Sequence, residues 1–191
     1  MKKSKSLTRR DKFFWVSIGI ITVMIGYLIS NIFIDKRYDY SNFILYKYKN
    51  RFEIFVPGYL VPDDSLSANA SLQFSDFSNE VFLLVIEENK RELQRNGITP
   101  SAKEYYAYIL ESISSSIENF EIVSEKTTRI NGLQTLTCEI NGTYAEHTLY
   151  YLFSVVESDN AYYQLLAWTT DAVKNVVKRD FYASFITFKE E

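Results

Sequence analysis

Residues 13–34, FFWVSIGIITVMIGYLISNIFI, form 22 consecutive positions without a charged side chain. No other stretch constrains the chain as strongly. As a helix rising 1.5 Å per residue they extend about 33 Å, enough to cross the hydrocarbon layer of a bilayer. Asp11-Lys12 and Asp35-Lys36-Arg37 bound the stretch, and Phe13, Phe14, Trp15 and Phe33 lie near its ends, where aromatic rings favour the membrane interface. A cleaved signal peptide would have a shorter apolar region and a small-x-small exit. Here Leu28, Ile29, Ile32 and Phe33 occupy the exit. The sequence therefore predicts an uncleaved, single-pass transmembrane helix that places residues 13–34 in the lipid bilayer.

Residues 1–12 carry six Lys or Arg against one Asp, and residues 36–51 carry five Lys or Arg. The basic residues are packed more tightly before the span. The positive-inside rule then puts residues 1–12 in the cytoplasm as a basic tail and the remainder outside the cytoplasm. The inverted arrangement would make the C-terminal part a cytosolic-facing adaptor. Gly19 and Gly26 are seven apart, so the span carries no GxxxG dimerisation face.

Residues 35–47 read as a stalk and residues 48–191 as one soluble domain, a length that supports one hydrophobic core. The domain is rich in Tyr, Phe, Ile, Leu and Val and poor in Pro and Gly, the reverse of a disordered composition. Residues 38–191 hold 13 Lys or Arg and 22 Asp or Glu, a net charge of −9. Phosphate backbones repel such a surface, so nucleic acid is not an expected partner.

Hydropathy periods give an order of β-β-β-α-β-β-β-β-α. Phe52, Ile54 and Val56 alternate as in a half-buried strand, residues 69–75 alternate again, and residues 80–87 form the apolar run of a central strand. Residues 89–97 read as a helical turn or a loop. Ser101-x-x-Glu104 is a capping box that opens a helix along Tyr105, Ile109, Ile113 and Ile117. Asn131-Gly132 and Asn141-Gly142 read as hairpin turns within an antiparallel meander. A last helix, capped by Thr170 or Asp171, presents Val173, Val176, Val177, Phe181 and Phe185 to the core and Lys174, Lys178 and Arg179 to water. The fold class is α+β.

Several local features, in this order, resemble the PsbP-like superfamily. They are Phe52-Glu53-Ile54-Phe55-Val56-Pro57, the strands Ala70–Phe74 and Val81–Ile86, Thr99-Pro100-Ser101 with Tyr105, the Asn131-Gly132 hairpin, Tyr162-Tyr163-Gln164-Leu165 and Phe185-Ile186-Thr187-Phe188-Lys189. The resemblance covers about residues 48–190. It implies an antiparallel sheet sandwiched by helices, and a non-enzymatic accessory or binding role. DcrB-type relatives usually carry a lipid anchor where this chain has an apolar stretch, and no photosystem role is carried over.

Chemistry-bearing motifs are sparse. His147 is the single histidine and Cys138 the single cysteine, which leaves no histidine- or cysteine-based metal site and no disulfide. There is no GxxxxGK[ST], GxGxxG or GxSxG. Asp63-Asp64 reads as a solvated turn, and Glu87 and Glu88, adjacent on a strand, point to opposite faces. Asn69-Ala70-Ser71 and Asn141-Gly142-Thr143 match the glycosylation pattern only. No catalytic residue, metal or cofactor is expected. Tyr105, Tyr151 and Trp168 are the candidate lining of a binding groove, since Tyr and Trp offer an apolar body with a polar tip. The reading that results is a membrane-tethered accessory or binding domain of a bacterial cell envelope, with another envelope protein or envelope component as partner. A small-ligand or lipid carrier is the second reading.

Overall fold

The computed structural model describes residues 40–191. The predicted basic tail and transmembrane helix lie outside those residues. Among the described residues, no helix is long and apolar enough to cross a membrane.

Within the described residues, ten strands and three helices follow in the order β1 (Phe43–Tyr48), β2 (Phe52–Pro57), β3 (Val61–Pro62), β4 (Leu72–Asp76), β5 (Val81–Asn89), α1 (Lys90–Arg95), α2 (Ala102–Ser115), β6 (Glu118–Ile130), β7 (Leu133–Tyr144), β8 (His147–Glu157), β9 (Ala161–Thr170), α3 (Asp171–Thr187) and β10 (Lys189–Glu190). They make a seven-stranded antiparallel sheet, β3-β4-β5-β9-β8-β7-β6, and a three-stranded sheet, β1-β2-β10.

Strand alternation sorts the large sheet's side chains into two cores. Tyr150, Leu152 and Val156 of β8, with Tyr163, Leu165 and Ala167 of β9, face Val177, Phe181 and Phe185 of α3 and the small sheet's Phe52, Ile54 and Val56. Tyr151, Phe153 and Val155 of β8, with Tyr162 of β9, face Tyr105 and Tyr106 of α2. The sheet is thus covered on both faces, in agreement with the predicted α+β sandwich.

Four local expectations change. Phe43–Tyr48 falls largely in the segment read as stalk, yet it forms β1, paired with β2 from Phe43↔Pro57 to Tyr48↔Phe52. The cause is aromatic packing: Tyr46 meets Phe74 with centroids 4.6 Å apart, and Tyr48 meets Phe52 at 5.4 Å. Its half-buried positions lack a clean two-residue period, so the sequence conceals it.

Asn141-Gly142 is not a turn. β7 runs through it to Tyr144, and the reversal falls at Ala145 and Glu146, with φ of 48° and 71°. Gly142 is required for closeness instead: a Cβ there would lie 2.1 Å from Ile117 Cγ2. Asn131-Gly132 is a hairpin turn as expected, with φ of 47° and 87°.

Lys174 and Lys178 do not simply face water. Lys178 pairs with Glu139, and Lys174 Nζ donates to Asn141 Oδ1 at 3.2 Å. Val176, placed on the apolar stripe, is 73 % exposed. Thr170 occupies the N-cap position of α3, without a side-chain hydrogen bond.

Candidate binding cleft

The first turns of α2 are locked to the sheet. Ser101 and Glu104 complete the capping box: Glu104 N donates to Ser101 Oγ at 3.3 Å, and Ser101 N donates to Glu104 Oε2 at 2.8 Å. Tyr105 stacks on Tyr162 with centroids 4.3 Å apart and planes 12° apart. Its hydroxyl accepts from Gln164 Nε2 at 2.7 Å, and the Tyr162 hydroxyl donates to the Pro100 carbonyl at 2.5 Å. Tyr106 stacks on Phe153 and donates to Glu125 Oε1 at 2.8 Å. Burial raises the hydroxyl pKa of both tyrosines, with Glu88 adding to it at Tyr105 and Cys138 and Glu125 at Tyr106.

The second half of α2 is held less closely. Ile109, Leu110 and Ile113, and Ile117 just beyond the helix end, which falls at Ser115 and not past Ile117 as the stripe predicted, are only partly buried against the sheet. Beneath Ile113 and Ile117 lies an open cleft of about 520 Å³, with Tyr151, Leu166 and Trp168 as its floor and Leu66 and Tyr144 at its margin. Tyr151 and Trp168 are direct cross-strand partners, and Trp168 also stacks on Phe82 with centroids 5.0 Å apart. Burial pushes the Tyr151 hydroxyl up to about 12, so it is a neutral donor at physiological pH.

Of the three residues proposed from the sequence, Tyr151 and Trp168 share this cleft. Tyr105 does not line it; it is spent in the stack on Tyr162 at the other end of the helix. Sequence reasoning did not assign Leu66, Leu149 and Leu166 to the cleft. Leu66 sits in a loop with no periodicity to reveal it. Ile113 and Ile117 were visible as a stripe, although the stripe did not show that it stays only partly buried.

The remaining titratable groups are engaged or isolated. Glu87 pairs with Arg51, while Glu88, on the other face, accepts from Gln164 Nε2 at 3.4 Å. Asp63 Oδ1 accepts from the Ser65 amide at 2.8 Å, which lowers the carboxyl pKa as in any tight turn. Burial raises the Glu139 carboxyl, and hydrogen bonds from Lys178 and Tyr182 outweigh that to leave it below the ordinary range. Cys138 is 1 % exposed, and burial pushes its thiol up to about 11. His147 is exposed at the start of β8. Among the described residues, no group of three His, Cys, Asp or Glu could hold a metal ion.

No family model matches the sequence, and no curated protein matches it. Solved structures do resemble the domain. Cyanobacterial PsbP (CyanoP) from Synechocystis sp. PCC 6803 is similar at a TM-score of 0.58 and 16 % identity, over 79 % of this chain and 94 % of that one. LpqN of Mycobacterium tuberculosis, a protein involved in cell envelope biogenesis, is similar at a TM-score of 0.54 and 10 % identity, over 73 % of this chain and 82 % of that one. At such identities the likeness is one of architecture: the domain shares its fold with cyanobacterial PsbP and with LpqN.

Proposed function

We propose that the chain is a membrane-tethered, non-catalytic accessory domain of a bacterial cell envelope that binds another envelope protein or envelope component. The observation that carries this reading is the combination of a 22-residue charge-free stretch with the fold shared by LpqN, itself involved in cell envelope biogenesis. The sealed Cys138, the outlying His147 and the committed Glu139 support a role without covalent or acid–base chemistry. Carbonate extraction and protease digestion of intact spheroplasts test it. The expected result is a chain retained in the membrane pellet whose domain is digested from outside. Release by carbonate would overturn the tether, and protection of the domain would favour the cytosolic-facing adaptor.

A second reading, a carrier of a small apolar ligand or lipid, is favoured by the cleft at Tyr151 and Trp168. Native mass spectrometry of the full chain from mild detergent discriminates. A stoichiometric extra mass lost on Trp168→Ala supports the carrier; a bare chain supports the accessory role.

A further inference from the structure

The large sheet ends differently at its two edges. β3 at one edge has two residues, Val61 and Pro62, and proline has no N–H to offer a neighbour. β6 at the other edge has 13 residues, of which 11 are exposed. Its pairing with β7 is irregular between Glu118 and Ser124 and regular from Ser124 to Ile130.

The hydrogen-bonding direction along that regular part follows from the hairpin. A two-residue turn closes on a hydrogen-bonded pair, here Ile130↔Leu133, and such pairs recur at every second residue. Thr128, Lys126 and Ser124 therefore spend their backbone groups on β7. Glu125, Thr127 and Arg129 turn theirs outward, to an edge that no strand among the described residues covers.

These three residues are self-complementary. When two copies of β6 meet antiparallel about a twofold axis through Thr127, Thr127 lies opposite its own copy. Glu125 of each chain then lies opposite Arg129 of the other, in both symmetric positions. All six residues bring outward-facing amides and carbonyls to the seam. Glu125 uses one carboxylate oxygen on Tyr106, and Arg129 uses one guanidinium nitrogen on the Gly132 carbonyl at 2.7 Å, so each retains capacity for the partner. Opposite charges directly across an antiparallel seam stabilise it, and β-branched pairs do so as well.

We propose that β6 is a homodimerisation edge, through which two copies of this chain join their sheets isologously about Thr127. The continuous sheet would have 14 strands. This inference stands on the domain's edge alone and is independent of the accessory or carrier reading.

Symmetric disulfide trapping tests it in the full chain in native membranes. Thr127→Cys places two thiols across a hydrogen-bonded pair, where Cα atoms lie about 5.5 Å apart, within disulfide reach. The only native thiol, Cys138, is buried and leaves the background clean. Mild oxidation is expected to double the apparent mass of Thr127→Cys, and to leave Asn69→Cys, in the loop before β4, as a monomer. In the Thr127→Cys background, Glu125→Arg or Arg129→Glu alone is expected to cut the trapped dimer severalfold, and the double exchange to restore it. Equal trapping of Asn69→Cys and Thr127→Cys, or trapping of neither, overturns the proposal. Trapping of Thr127→Cys to a chain of another mass overturns it in favour of a different edge partner. A charge exchange that fails to restore trapping overturns the register.

Discussion

On the face of the large sheet that carries α3, Phe181 and Phe52 are fully buried, and Phe188 joins them at 5.5 Å from Phe52. On the face that carries α2, only Ala102, Tyr105 and Tyr106 of the helix are buried; Ile109, Leu110 and Ile113 pack against the strands but stay partly exposed, and an open cleft lies beside Ile113. Both faces have ample apolar side chains, so supply does not explain the difference. Coverage does. The first face is closed by a 17-residue helix and three short strands, the second by a 14-residue helix and, through Leu93, the six-residue α1. Close packing and an open cleft thus lie on opposite sides of one sheet, and a change on one side need not be felt on the other.

The largest expected effect tests that division. Phe181→Ala should destabilise the domain by about 3–5 kcal/mol, as truncating a fully buried aromatic does, whereas Ile113→Ala at the cleft should cost about 1 kcal/mol or less. Denaturant midpoints of the two variants compare them; equal losses would erase the distinction between the faces. Gly142→Ala should cost about 1–3 kcal/mol by driving a methyl into Ile117, and Ile117→Ala in the same chain should recover part of that loss. Strict additivity in thermal melts would mean that the close approach is unimportant. Ser101→Ala should remove about 1 kcal/mol through the lost cap and loosen α2 without disturbing α3, which hydrogen exchange resolves helix by helix.

The smallest effect is one of pH and belongs to the α3 side. The folded-state carboxyl of Glu139 lies below its ordinary value because Lys178 and Tyr182 outweigh its desolvation. Its contribution is therefore fully present above the unfolded pKa of about 4.3 and lost as pH falls through the lower folded value. Glu139→Gln should flatten this acid limb of a stability-versus-pH curve. An unchanged limb would show that other carboxylates dominate acid unfolding.

Much of the architecture was legible in the chain. Ser101-x-x-Glu104 marked α2, Asn131-Gly132 marked the β6–β7 turn, and alternation in residues 52–56 marked β2, whereas the single core expected from the length is split in two by the sheet. Each of these is a local signal with a local cause. The misreadings share the opposite property. Gly142 looked like a turn because its need, space for Ile117, arises 25 positions away. Lys178 looked like a solvent-facing residue because Glu139 lies on another element. The cleft was half visible: cross-strand neighbours such as Tyr151 and Trp168 follow from a meander, while the exclusion of Tyr105 depends on a ring stack with Tyr162 that no spacing encodes.

The closure of the small sheet has a consequence for biosynthesis. β2 receives β1 from its own neighbourhood, but its other partner, β10, comes from 136 positions downstream, as between Glu53 and Lys189. Phe188 inserts beside Phe52 and Tyr163, and Glu190 accepts from both Ser158 and Tyr163. A ribosome must therefore release residues 188–190 before this core can seal, and contacts of such long range form slowly. Until they arrive, Phe52 and Tyr163 lack the aromatic neighbour, Phe188, that closes this core.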